Sequence, residues 1–252
     1  MSREWETIFS TWAQSSGATE SERLERTISS IKNALSADDR LCTKSKVYVQ
    51  GSYRNRVNVK QDSDVDIGIL YTGNTFYPDY PEGMSQSDFG NIDSDHTYRE
   101  FKDEVEIALV NYYGRAAVHR GNKAFDLHEN TYRVDADVVP VFEHRYYSRD
   151  GSYICGVQIY PDNGGSIINW PERLYDDHHW PNQHYENGVS KNTNTGRRYK
   201  SVVRILKKLR NTMADKGIAA ANPIPGFLIE CLVWNTPTLK IRETEPKRSD
   251  DF

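Results

Sequence analysis

Two linked stretches decide the fold: Gln50-Gly51-Ser52-Tyr53-Arg54-Asn55-Arg56 and, beginning twelve residues after Ser52, Asp64-Val65-Asp66-Ile67-Gly68-Ile69-Leu70. Lys46-Val47-Tyr48-Val49-Gln50 reads as a short strand that stops at Gly51. A glycine in that place lets backbone N–H groups come close to an anion, and the Ser52 hydroxyl adds a donor. Alone, Gly-Ser is an ordinary turn; the aspartates give it meaning. Alternate residues of a strand face the same way, so Asp64 and Asp66 share one face while Val65 and Ile67 face the core. Two carboxylates side by side repel, and a divalent cation relieves the repulsion. Mg²⁺ takes hard oxygen ligands, usually a few carboxylates together with substrate phosphates. A solvated edge strand is the plain alternative for Asp-x-Asp, but the apolar run into Ile69 and Leu70 favours metal binding.

Two-metal phosphoryl transfer asks for a third acid. Arg133–Phe142 reads as a strong strand, with Asp135 and Asp137 on one face and Val134, Ala136 and Val138 on the other. The two aspartates stand about 6.6 Å apart along such a strand, so one completes the set and the other lies at its rim. His178 and His179 follow Asp176 and Asp177, but without i, i+4 spacing they read as part of a surface loop.

Working outward, Leu24, Ile28, Ile31 and Leu35 recur at helical spacing and predict a helix over 20–36. Residues 72–95, rich in Gly, Pro, Asp and Ser, read as a loop. A helix is expected over about 96–113, with Phe101, Val105, Ala108 and Tyr112 on one face. Short strands are expected at 115–119 and 122–128, a hairpin-like segment at 153–160, and a long polar loop at 171–196. Helices follow at 197–215 and, after Pro225, over Gly226–Trp234. A mixed sheet followed by helices makes the class α+β. The division expected is a core with an N-terminal spine helix over 1–170 and a C-terminal helical lobe over 171–252.

Composition sets the bounds. The 252 residues suffice for one large domain or two small ones, with 37% hydrophobic and 27% charged residues and a mean hydropathy of −0.76. No apolar run approaches the roughly 18 residues of a membrane span, and no secretion signal is read at the N-terminus. Cys42, Cys155 and Cys231 are isolated, which favours neither a disulfide framework nor a zinc site and fits the cytoplasm. A net charge of −4 argues against an extended nucleic-acid surface, so phosphate recognition must be local.

The pattern Gly51-Ser52, Asp64-x-Asp66 and Asp137-Val138-Val139-Pro140 resembles the DNA polymerase β-like nucleotidyltransferase superfamily. More narrowly it is similar to the bacterial CD-NTases, relatives of cyclic GMP-AMP synthase and of the 2′-5′-oligoadenylate synthetases. The likeness runs from about residue 20 to 236. It implies a polymerase β-like core with a C-terminal helical lobe, and attack of one nucleotide's ribose hydroxyl on another's α-phosphate. Asp64, Asp66 and Asp137 would bind two Mg²⁺ ions (Mn²⁺ being an alternative), which favours Asp137 over Asp135. Gly51, Ser52 and Lys207 would hold the donor triphosphate, and Phe227 would stack on a nucleobase. Lys200, Arg204 and Lys207, at i, i+4 and i+7, would form a basic stripe offsetting the donor's charge; a solvated charged face is the alternative, as core packing is for Phe227. The partners implied are NTP substrates, a downstream effector that recognises a cyclic oligonucleotide signal in anti-phage defence, and a regulatory protein; no membrane is implied. Two rival readings remain: transfer to an antibiotic or protein acceptor, and a nucleotide-binding module without turnover. The chain departs from the family pattern at Gly226, where relatives often carry Ser or Gln, and in having eighteen residues after Trp234, which predicts a short lobe.

Overall fold

A computed structural model describes residues 3–15, 17–59, 64–94, 96–128, 134–169 and 183–238. In chain order the first elements are α1 (Arg3–Trp12), α2 (Ala18–Ser36), β1 (Ser45–Val49), α3 (Gly51–Asn55), β2 (Val65–Tyr71), β3 (Phe76–Asp79) and α4 (Tyr98–Tyr113). They are followed by β4 (Val118–Arg120), β5 (Phe125–Leu127), β6 (Ala136–Tyr147), β7 (Tyr153–Ile159), β8 (Ile167–Asn169), α5 (Gln183–Asn194), α6 (Tyr199–Asp215) and α7 (Gly226–Asn235). The chain forms two compact units, each assembled from separate segments: Ala18–Gly51 with Asp64–Gln183, and Met1–Gly17 with Ser52–Ser63 and His184–Phe252.

The first unit is built on a sheet of order β1-β2-β6-β5-β4, extended by β3, β7 and β8. β2 runs antiparallel to β1 and parallel to β6. Val65, Ile67 and Ile69 of β2 are fully buried, so the strand carries the near-continuous apolar sequence of a central position. β6 is twelve residues long. Its first part pairs with β5 and its second with β7. Pro140, which lacks an N–H, falls in the gap between those two registers, where no ladder bond to either strand is lost.

Helix α4 opens on a capping box. The Glu100 N–H donates to Thr97 Oγ1 at 3.2 Å, and the Thr97 N–H donates to Glu100 Oε2 at 2.8 Å, satisfying two N-terminal donors reciprocally. Phe101, Val105, Ala108 and Leu109 are buried; Leu109 takes the core place expected of Tyr112, which is 47% exposed. In α2, Ile31 and Leu35 are buried together with Thr27. The Thr27 hydroxyl donates to Arg23 O and accepts from the Val134 N–H, which ties the helix to the approach of β6.

The second unit is helical. Val57 packs with Tyr199, Val203, Ile229 and Val233 in its core. Arg204 is buried in α6 and donates to the Ala13 carbonyl through Nε and Nη2, and to the Arg56 carbonyl through Nη1. Those bonds fasten the end of α1 and the segment after α3 to α6.

Several expectations are corrected. Residues 72–95 hold β3, paired in parallel with β6 from Phe76↔Glu143 to Asp79↔Tyr146, and a short 3-10 turn at Gln86–Phe89. Residues 115–117 form a 3-10 turn, because Gly114 at φ 83° redirects the chain out of α4. The stretch 171–196, read as loop, contains α5. His178, His179, Asp176 and Asp177 lie outside the described residues, as does the tail from residue 239.

Candidate active site

Within the sheet unit, Asp66 of β2 stands opposite Asp137 of β6, and Asp137 stands opposite Asp126 of β5. Directly opposed residues project to the same face. Each aspartate is flanked by buried apolar neighbours: Val65 and Ile67, Ala136 and Val138, Phe125 and Leu127. The sheet therefore turns its apolar side chains to the core and three carboxylates, on three adjacent strands, to the other face. Asp64 immediately precedes β2. Asp135 lies just before β6, and its carbonyl accepts the Val65 N–H at 2.9 Å.

The crowding is visible in the acidities. Burial, then the charges of Asp64, Asp126, Asp66 and Asp135, pushes the Asp137 carboxyl up to about 6. Burial and then Asp135 and Asp126 raise Asp64 as well. Burial and neighbouring like charge both disfavour the ionised form of a carboxyl, and here they act together.

Gly51 adjoins the same row. Its φ is 68°, and a Cβ there would lie 1.9 Å from Asp66 Oδ2. The Gln50 N–H donates to the Asp66 carbonyl at 2.9 Å. The glycine read from sequence as an anion-approach residue is thus required first by the aspartate beside it. Asp126 was not found by sequence reading. Its signal, a lone acid between Phe125 and Leu127, sits on a strand of three residues, too short for alternation to register. His119 of β4 stands opposite Asp126, with Nδ1 3.3 Å from Asp126 Oδ2.

Within the helical unit, Ser52 begins the segment leading into the core, and its carbonyl accepts the Val57 N–H at 3.0 Å. Lys207 is buried, and its Nζ donates to Glu230 Oε1 at 2.7 Å. His184 Nε2 lies 2.8 Å and Asn55 Nδ2 3.1 Å from Glu230 Oε2. Burial alone would raise the Glu230 carboxyl, but the bonds and charges of His184 and Lys207 outweigh it and hold it below its ordinary value. Phe227, in the first turn of α7, is 62% exposed, which rules out the core-packing reading; its ring centroid is 5.1 Å from that of His184. Lys200 Nζ lies 5.6 Å from the Tyr185 ring, and Arg54 Cζ lies 4.4 Å from the same ring.

The basic stripe is corrected accordingly. Arg204 points inward to backbone carbonyls and Lys207 to Glu230, so the three cations do not form one solvent-facing charge. At Gly226 a Cβ would lie 3.3 Å from Lys207 Cε and 3.4 Å from its Nζ, so the glycine lets the end of that side chain pack closely against the start of α7. Glu230, His184, Tyr185 and Arg54 had not been singled out; two of them lie in the stretch read as loop.

Residues 186–250 match the cGAS/DncV-like nucleotidyltransferase C-terminal helical domain. The chain is 45% identical over 243 residues to the cyclic dipyrimidine nucleotide synthase CdnE of Legionella pneumophila, covering 94% of this chain and 78% of that one. It is 40% identical over 238 residues to the protein of the same name from Cecembia lonarensis, covering 94% and 77%. Among solved structures, the Rhodothermus marinus CdnE c-UMP-AMP synthase with Apcpp and Upnpp superposes with a TM-score of 0.77 at 32% identity, over 93% of this chain and 76% of that one. The row of opposed aspartates thus occurs in a chain whose likeness to these synthases extends over nearly its whole length, and the chain belongs to the cGAS/DncV-like nucleotidyltransferases.

Proposed function

We infer that this chain joins two nucleoside triphosphates into a cyclic dinucleotide, with a pyrimidine nucleotide accepted in at least one position. The observation that carries the reading is the opposition of Asp66 and Asp137 across β2 and β6, with Gly51 pressed against Asp66. The pyrimidine preference follows the two cyclic dipyrimidine nucleotide synthases at 45% and 40% identity. The product acts as a second messenger read by a downstream effector in anti-phage defence, as the family resemblance implies.

The residues suit divalent cations. Burial and then neighbouring like charges raise Asp137 and Asp64, and positive charge between them would oppose both effects. Among the described residues no three Asp, Glu, His or Cys side chains are already arranged to hold an ion, and Mg²⁺ commonly draws part of its shell from substrate phosphates. Asp64, Asp66 and Asp137 would hold two Mg²⁺ or Mn²⁺ ions, which lower the acidity barrier of the attacking hydroxyl and offset charge on the leaving pyrophosphate. Gly51 leaves room beside Asp66, Ser52 and Lys207 bind the donor phosphates, and Phe227 stacks on a base. Asp137 accepts the proton of the attacking ribose hydroxyl.

Incubation with labelled NTPs, singly and in mixtures, with Mg²⁺ or Mn²⁺ and then phosphatase, tests the reading. A phosphatase-resistant product that requires UTP or CTP, and that is absent from Asp64→Ala/Asp66→Ala, is expected. Label on an added aminoglycoside or protein would replace this function with transfer to that acceptor. NTP binding without any product would leave a binding module.

A further inference from the structure

The donor contacts ascribed to the helical unit come from three elements: Ser52 from α3, Lys207 from α6 and Phe227 from α7. All three elements meet at Glu230, a side chain no role has yet been given. Glu230 is 4% exposed. One carboxylate oxygen receives Lys207 Nζ at 2.7 Å; the other receives His184 Nε2 at 2.8 Å and Asn55 Nδ2 at 3.1 Å. Asn55 closes the short helix that carries Ser52. His184 lies against Phe227.

The electrostatics give the arrangement a purpose. Lys207 Nζ sits close under Gly226, at the N-terminus of α7, where the helix dipole is positive and a cation is misplaced. Two sources of positive charge therefore converge where, among the described residues, Glu230 is the buried carboxylate in contact. An ammonium group has three donors. Glu230 takes one and leaves the remainder to an anion that would complete the neutralisation.

We propose that Glu230 is the positioning residue of the donor-triphosphate subsite, holding Lys207 aimed while fixing the helix behind Ser52 and the ring behind Phe227. This rests on the nucleotidyltransferase reading above. Glu230 touches no substrate; it acts through Lys207, Asn55 and His184.

The test is binding of an α,β-methylene NTP, which cannot react as a donor, to the full chain with Mg²⁺. Wild type, Glu230→Gln, Lys207→Met and the double variant are compared by calorimetry, with unliganded melting curves alongside. Removing a charge-assisted bond should weaken binding about tenfold or more in each single variant. The double variant should lose less than the product of the two single losses, because part of Glu230's effect runs through that lysine. In turnover, Glu230→Gln should raise KM for NTP while kcat at saturation stays within about threefold. Losses that multiply in the double variant, or unchanged binding by Glu230→Gln, would overturn the proposal while leaving the function standing. Wild type that binds no NTP analogue would overturn both. Should Glu230→Gln fail to fold, Glu230→Asp, which keeps the charge with one methylene less reach, gives the same comparison.

Discussion

At the scale of single residues, the carboxylate row makes a prediction independent of activity. Asp137 is raised from its ordinary 3.8 to about 6, so the folded protein binds this proton more tightly than the unfolded chain does. The stabilisation is full below about pH 4 and is lost as pH rises through about 6. Above that range an ionised Asp137 strains the metal-free protein. Asp137→Asn should therefore raise Tm at pH 7.5 without divalent cations. Allowing for solvent screening of a partly buried group, the gain is about 1 kcal/mol, or roughly 2–4 °C. It should shrink towards pH 4, and scanning calorimetry at both pH values measures it; an equal gain at both would break the link to ionisation. The same substitution should abolish synthesis, whereas Asp135→Asn, altering a side chain just before the strand, should retain far more activity. The reverse order in a product assay would move the third acid to Asp135. Gly51→Ala belongs here too: its Cβ would meet Asp66 Oδ2 at 1.9 Å from a left-handed backbone. Synthesis should fall by about 100-fold, what a misplacement of 1 Å can cost an aligned site.

At the scale of elements, what could be read was what repeats. β2 was legible because Asp64-x-Asp66 leads into an unbroken apolar run, and α2 because its aliphatic residues recur at helical spacing. Thr97 and Glu100 carry a capping box before α4 that marks its start to the residue. Thr97→Ala should destabilise the protein by about 1 kcal/mol in urea unfolding, the usual value of such a cap; a loss within 0.2 kcal/mol of zero would show that tertiary packing alone sets the start. α5 escaped because it has no apolar stripe. It is held by Lys191 Nζ donating to the Thr236 carbonyl and by Trp234 Nε1 donating to the Asn187 carbonyl. Such contacts are made by backbone and polar tips, which have no period. β3 escaped for a related reason: four residues containing a proline, Phe76–Asp79, gain strand form from pairing with β6. The site divides in the same way. Asp64 and Asp66 were legible from strand parity, which left Asp135 and Asp137 as alternatives between which only the family resemblance chose, while Asp126 and Glu230 required strand register and helix packing across long sequence separations.

At the scale of the whole molecule, the chain crosses between its two units more than once, and each unit has a core of its own. Ser52–Ser63 leaves the sheet segments on either side of it to join the helical unit, carrying Val57 into the cluster of Tyr199, Val203, Ile229 and Val233. The interruption of twelve residues falls between the two halves of the decisive sequence motif, and Gly51 and Asp66, on either side of it, are neighbours in space. Val57 is fully buried, and Val57→Ala should cost about 2 kcal/mol through lost burial and a residual cavity. If each unit is stabilised chiefly by its own core, amide exchange should accelerate in α6 and α7 while the β2 and β6 amides keep most of their protection. Hydrogen exchange read by mass spectrometry distinguishes this from a uniform loss across both units, which would mean that the sheet and the helices unfold as one cooperative body.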